Sequence, residues 1–343
     1  MAGSISYIKI GNGDMTMIRN VRCIFIIMIL LFIPALTGKD VRADDFQITD
    51  GALTAYYGSG GDIVIPDNVV HIADSVFLNN PDITSVQVPE GCLYISDGAF
   101  DGCVNLTYVS LPDSLIEIGN LAFARCTNLE SCYLPRNIEQ IGSGAFRECH
   151  SLKILEIPEK TTYIGEGAFC YCDDMEQFIV TSGNTHYIAR EGVLFSADMK
   201  QLIQYPCGRN EGTYAVPEGV ETICRNAFTH ALSLREVSLP HTLRELMPFA
   251  FSSCTSITEI RLPGSLSHVS ENAFKNAVNL CRVYAGNDRM KAEPDAFAGD
   301  SSVIMIGNKG SEIENYAKKY NIGFSEMKET DIAYIPPTRE LIF

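Results

Sequence analysis

No stretch of this 343-residue sequence is apolar for long enough to cross a bilayer. The longest uninterrupted run, Cys23 to Ile33, has eleven residues, against the about 20 a spanning helix needs, so a multi-span membrane protein is excluded. Positive charge is also scarce: 26 Lys plus Arg stand against 42 Asp plus Glu, for a formal net charge of −16. A surface of that sign repels phosphate backbones and anionic headgroups, which excludes nucleic acid as a partner class. Signatures of chemistry are missing as well. There is no G-x-S-x-G elbow, no H-E-x-x-H pair, no Walker loop and no C-x-x-C pair from which to build a zinc site. No cofactor or metal is expected. Apolar residues are not lacking: at 46% hydrophobic, the chain has ample material for a packed core and is not disordered.

Arg19 and Arg22 precede the apolar run, Pro34 ends it, and Val41-Arg42-Ala43 follows with small residues where a signal peptidase reads. Together they describe a secretory signal peptide over residues 1–43. A membrane anchor is the alternative, but even extended to Leu36 the run has only fourteen residues. Met15 and Met17 are alternative starts, since residues 1–14 add nothing such a leader needs. Cleavage after Ala43 leaves 21 basic against 40 acidic residues, a charge of −19. The expectation is an exported, acidic protein, secreted or associated with the cell surface, with no membrane span in the mature chain.

What the sequence has in abundance is repetition. Prolines fall at 66, 89, 112, 135 and 158, then at 217, 240 and 263, every interval being 23 except one of 59. Eleven residues after each comes a phenylalanine: Phe77, Phe100, Phe123, Phe146, Phe169, Phe228, Phe251 and Phe274. Alanine precedes it in every copy but the first, which has Val76, and an aliphatic or methionine follows six residues later. A ninth copy keeps Ala296-Phe297, Val303 and Ile306 without the proline. A unit this short has an apolar stripe but no second layer, so it buries that stripe only by stacking on its neighbours. The fold class expected is therefore a repeat solenoid of about ten right-handed coils, about 50 Å along the stack. Leu106-Thr-Tyr-Val109-Ser-Leu111 fits L-x-x-L-x-L, a short strand with Val109 and Leu111 inward and Tyr108 and Ser110 outward. Parallel strands of this kind predict one long sheet, with the Ala-Phe step forming the opposite wall.

The cadence running from Leu111-Pro112 through Ala122-Phe123 and Cys126 to Leu129 resembles the BspA-like leucine-rich-repeat family of bacterial surface and secreted proteins, which has relatives in some parasitic protists. The likeness covers about residues 46–325. It implies a curved solenoid with its parallel sheet on the concave face, used in adhesion or protein recognition, and no catalytic residues to carry over. The organisation expected is an N-cap at 44–63, repeats at 64–179, an inserted hairpin coil at 180–215, repeats at 216–307, a C-cap helix at 308–325 and a loose tail at 326–343. Asn184-Thr-His-Tyr187, Glu191-Gly192-Val193-Leu194-Phe195 and Leu202 to Pro206 supply the hairpin, with Glu191-Gly192 as its turn. Asp50-Gly51 echoes it in the N-cap, and Ser311 with Glu314 makes a capping box for the terminal helix.

Of twelve cysteines, Cys103, Cys126, Cys149, Cys172 and Cys254 share one column, three residues after the phenylalanine, where Asn80, Ala231 and Ala277 also occur. That column demands a small side chain, and reduced, buried thiols are expected rather than bridges. Cys92 and Cys132 replace aliphatics in other columns. The six histidines are scattered, and Asp173-Asp174 reads as a repeat loop. Outward alternation marks a candidate ligand-binding face: Tyr108, Tyr133, Ile154, Glu156 and Ile179, then Glu236, Glu259, Arg261, Arg282 and Tyr284. The leading reading is a non-catalytic monomer that binds a protein or glycan of host or neighbouring cells. A structural surface component assembling through its ends is the alternative, opposed by the acidity and the capped termini. A cysteine hydrolase pairing Cys207 with His186 is the remote one, since no orienting partner or groove accompanies the pair.

Overall fold

The computed structural model describes residues 42–298 and 303–332. The leader expected at 1–43 falls almost wholly outside the described residues, as does the end of the tail. Within them the chain is a solenoid whose coils are joined along three hydrogen-bonded seams, each with interruptions.

The first seam holds the expected parallel strands, but as four separate hydrogen-bonded sheets and not as one long sheet. Gly61–Val64, Ile83–Gln87, Tyr108–Ser110 and Ser131–Cys132 pair in that order, as do Ile154–Ile157 with Gln177–Val180 and Thr213–Ala215 with Glu236–Ser238. Glu259–Leu262, Arg282–Ala285, Ile304–Gly307 and Gly323–Glu326 complete it. The register advances one repeat per strand, so Val86, Val109 and Cys132 line up, and these with Leu155 and Phe178 are buried. Twelve such strands occur where about ten coils were expected, because the two caps, through Gly61–Val64 and Gly323–Glu326, each add one.

The second seam was not expected. Two-residue strands at the isoleucine step, such as Tyr94–Ile95, Glu117–Ile118, Gln140–Ile141 and Tyr163–Ile164, form a minor parallel ladder. It starts from Ala52–Tyr56 and resumes in the second half through Thr222–Ile223, Glu245–Leu246, His268–Val269 and Lys291–Ala292. Two residues are too few for alternation to show in a sequence. Their buried backbone groups must nevertheless pair, and the next coil is the partner within reach.

The third seam explains the Ala-Phe step. Where a regular coil follows, the phenylalanine N–H donates to the carbonyl of the alanine one coil on: Phe77 to Ala99 at 2.8 Å, Phe100 to Ala122 at 2.7 Å, Phe123 to Ala145 at 2.8 Å. The rings stack face to face, with centroids 4.7, 5.1, 5.4 and 6.0 Å apart from Phe77 to Phe169. A second stack runs from Phe228 to Phe297 at 4.7, 5.3 and 5.1 Å. Offset-stacked rings add to the area each one buries.

Where the interval is 59, the stack breaks. Phe169 meets Phe178 at a tilt of 53°, and Tyr205 starts the second stack, 5.0 Å from Phe228, with its N–H on Ala227 at 2.8 Å. Tyr205 thus takes the phenylalanine place of the inserted coil. That coil carries the antiparallel pair Tyr187–Arg190 and Val193–Ser196, joined through Glu191 (φ 51°) and Gly192 (φ 76°), and a third strand, Gln201–Gln204. Two positive φ values in succession give the turn whose twist matches a hairpin. Asp50 (φ 50°) and Gly51 (φ 80°) do the same between Phe46–Thr49 and Ala52–Tyr56. The core is accordingly two contiguous apolar clusters that meet at the hairpin, Leu194 facing the first and Val193 and Phe195 the second.

At the far end the helix Glu312–Tyr320 closes the stack, Tyr316 lying edge-on to Phe297 at 5.9 Å. Its cap is a variant of the box: Ser311 Oγ accepts from the Glu314 N–H, while the Glu314 carboxylate accepts from Gly310 at 2.6 Å. The tail expected to be loose from 326 is held at its start. Glu326 is still in the sheet, the Met327 N–H reaches Gly307 at 2.9 Å, and a turn of helix follows at Glu329–Ile332.

Candidate ligand-binding surfaces

The strand register decides which outward side chains are neighbours. One column runs Asp62, Ser85, Tyr108, Ser131 and continues in the Ile154–Gln177 pair; the column beside it holds Val64, Gln87 and Ser110, then the Glu156–Ile179 pair. Tyr133 lies one residue past the end of its strand. Tyr108, Tyr133, Ile154 and Ile179 keep 37%, 54%, 42% and 42% of their surface in water. Glu156 beside them is half-buried and accepts the Thr181 hydroxyl at 2.9 Å.

The second half of the face differs. Glu259 and Arg282 are register partners, with Arg282 Nη1 3.9 Å from the Glu259 carboxylate and Arg261 Nη2 3.7 Å from it. Arg261 also covers the Tyr284 ring at 3.8 Å and donates through Nη1 to the Asp331 carbonyl at 2.7 Å. Tyr284, expected to face outward, is therefore buried at 9% exposure. The sequence could not show this, because Asp331 stands seventy residues from Arg261. Glu236 is half-buried at the head of this group. Of the ten residues chosen by alternation, Tyr108, Tyr133, Ile154 and Ile179 form an exposed set, while Glu259, Arg261 and Arg282 are charges engaged with one another.

Alternation also missed two exposed rings. Tyr94 and Tyr163, at 41% and 50% exposure, project from the minor ladder. Their signal was the shared column: each precedes the isoleucine that lies six residues after the repeat proline, Ile95 after Pro89 and Ile164 after Pro158.

The thiol column has a geometric role. Cys103, Cys126 and Cys149 Sγ each donate to the carbonyl of the phenylalanine 26 residues earlier, all at 3.2 Å; Cys172 does so at 3.1 Å and Cys254 at 3.0 Å. None of the eleven described cysteines is bridged. Burial pushes the Cys103 and Cys254 thiols up to about 12, and those of Cys126, Cys149 and Cys172 well above the ordinary value. Such sulfurs are packing groups, not nucleophiles.

The interruption in the repeat leaves a cavity of about 310 Å³, walled by Lys153, Asp173, Asp174, Glu176, Asn210 and His230 among others. Asp173 is the centre of its wall. His230 Nδ1 sits 2.6 Å from one carboxylate oxygen, and His150 Nδ1 lies 2.9 Å from the other, off the line of a hydrogen bond. Asp173-Asp174, which read as a plain loop, therefore helps to form the cavity. Cys207 also borders it, but its thiol donates to the Cys172 carbonyl at 2.8 Å, and burial pushes it far above the ordinary value. His186 instead contacts the Thr185 hydroxyl at 3.1 Å and is not among the cavity's residues. The thiol–imidazole pair of the hydrolase reading is not assembled. Among the described residues no three His, Cys, Asp or Glu side chains are arranged to hold a metal, and no helix is long and apolar enough to cross a membrane.

The family model for the BspA type leucine rich repeat region matches residues 56–190 and 209–324, in six copies. No curated protein matches the chain. Among solved structures, a leucine-rich repeat protein from Eubacterium ventriosum is similar at 21% identity and a TM-score of 0.57, over 76% of this chain and 76% of that one. A leucine rich cell surface protein from Faecalibacterium prausnitzii is 22% identical with a TM-score of 0.51, over 88% of this chain and 96% of that one. The pneumococcal vaccine antigen PcpA is 20% identical with a TM-score of 0.51, over 81% and 91%. At these identities the likeness is one of fold.

Proposed function

The chain belongs to the BspA-type leucine-rich-repeat family, and on that basis we propose that it is a bacterial recognition protein, secreted or held at the cell surface, that binds another protein or a glycan through the outward face of its major sheet. The observation that carries this reading is the exposure of Tyr108, Tyr133, Ile154 and Ile179 on successive coils. Tyrosine combines a large apolar body with a polar tip and is enriched where binding energy concentrates. The second half of the face, where Arg261, Glu259 and Arg282 engage one another, forms a polar margin. The leader-like residues 1–43 and the surface protein among the similar structures support an extracellular setting.

Isoleucine and tyrosine are also good strand formers, and sheet neighbours pair for stability alone. The test must separate the two roles. The immobilised chain is used to capture ligands from host mucosal extract or neighbouring bacteria, and a captured ligand is titrated against the Tyr108→Ala/Tyr133→Ala variant. A hot spot predicts a loss of about 2 kcal/mol or more with the fold intact. Unchanged affinity in a folded variant would leave these rings with a structural role only.

A further inference from the structure

We propose that the cavity at the interruption is an anchor pocket for a basic side chain of a protein partner, with Ile154 and Ile179 seating the apolar residues beside it. This rests on the recognition reading above and names the chemistry of the partner.

The pocket exists because the repeat fails there. Regular coils offer the same surface every 23 residues, whereas the 59-residue interval brings the loop after Cys207 against the loop of the preceding coil. That contact is tight: the Gly208 N–H donates to the Met175 carbonyl at 2.8 Å, and a Cβ at Gly208 would lie 2.4 Å from the Asp174 carbonyl carbon. The wall is thus held in place before any ligand arrives, which lowers the cost of binding.

Its charge selects the occupant. Three carboxylates, Asp173, Asp174 and Glu176, face the space against the one ammonium of Lys153. Asp173 is occupied by the two histidines, but the Asp174 and Glu176 carboxylates make no hydrogen bond or ion pair among the described residues. A cation is favoured there by the wall and by the acidity of the whole chain, and an anion is repelled. A guanidinium or ammonium at the end of a flexible stem can reach both carboxylates. The apolar arm is contiguous. Lys153 directly precedes Ile154, and Glu176 precedes Gln177, the register partner of Ile154, while Ile179 follows two residues on. A partner segment alternating basic and apolar residues matches a cavity placed beside two half-exposed isoleucines.

The probe is a labelled octapeptide alternating arginine and leucine, read by fluorescence anisotropy against the full chain. Two further octapeptides replace either arginine by glutamate or leucine by serine. Asp174→Asn/Glu176→Gln should weaken binding about tenfold or more. Glu117→Gln/Glu245→Gln, which makes the same charge change on the minor ladder, should alter it less than about twofold. The glutamate peptide should not bind, and the serine peptide should bind more weakly than the leucine one. No binding by the arginine–leucine peptide, or equal weakening by the two double variants, would overturn the pocket. A serine peptide that binds as well as the leucine one would remove the isoleucines from the proposal. If a captured ligand depends on Tyr108 and Tyr133 while the cavity variants bind it normally, the pocket fails and the recognition reading stands.

Discussion

Leu121 is where the repeat works against its own side chain. Each coil turns through a left-handed residue two places before the phenylalanine, filled by Gly98, Gly144 and Gly167 in the neighbouring copies but by Leu121 at φ 54°. A side chain in that region costs about 1–2 kcal/mol, and Leu121 is 41% exposed, so it recovers little by burial. Leu121→Gly is therefore expected to stabilise the protein by about 1 kcal/mol, seen as a higher urea midpoint with unchanged slope. The buried thiols act at the same scale through pH. Folding raises Cys92 and Cys170 to about 11 and Cys103 and Cys254 to about 12 from an ordinary 9.0, chiefly through desolvation. The unfolded chain then releases protons first as pH rises. Stability is full below about pH 9 and falls toward pH 11–12, by up to about 1.4 kcal/mol per pH unit for each thiol. Urea midpoints at pH 7, 9 and 10 check the sign; a midpoint that held or rose would contradict the burial account.

At the scale of the element, the ring stack shows what was legible in the residues and what was not. Alanine and phenylalanine recur at fixed positions because one must allow the next coil's backbone to approach and the other must fill the interior, so that wall could be read directly. Tyr205 is less legible: it stands 23 residues before Phe228, in the ring column, but Gln204 replaces the alanine before it and Pro206 follows. The fold stacks it on Phe228 and buries its hydroxyl, which has no hydrogen-bond partner among the described residues. An unsatisfied buried hydroxyl costs about 1–3 kcal/mol, so Tyr205→Phe is expected to raise the urea midpoint and keep the stack. A lower midpoint would mean that the hydroxyl is hydrogen-bonded in the folded protein. The minor ladder escaped for a different reason. A strand such as Gln140–Ile141 has no period to detect, and its existence depends on the coils before and after it.

Across the whole molecule, the interruption divides the core into a cluster reaching from Phe46 to Leu194 and another from Val193 to Ala317. In a solenoid each coil is stabilised by its neighbours, so damage should spread along the stack and stop where the seams break. Phe123→Ala, costing about 3–5 kcal/mol, is expected to speed amide exchange across the first cluster while the second keeps most of its protection. Uniform loss in both would mean that the junction transmits the full cooperativity of the fold.

The sequence by itself determined the period, the stacking of coils, the buried faces and the small-residue thiol column. Each of these follows from one residue type recurring at one spacing, and burial of an apolar stripe has no other solution in so short a unit. The tie of Arg261 to Asp331 that covers Tyr284, the tilt of Phe169 onto Phe178 where the ring stack breaks, and the approach of His230 to Asp173 were decided only by the tertiary structure. Arg261 and Asp331 are 70 residues apart and Asp173 and His230 are 57, neither separation belonging to the 23-residue period, so chain geometry at the cap and at the interruption brings them together.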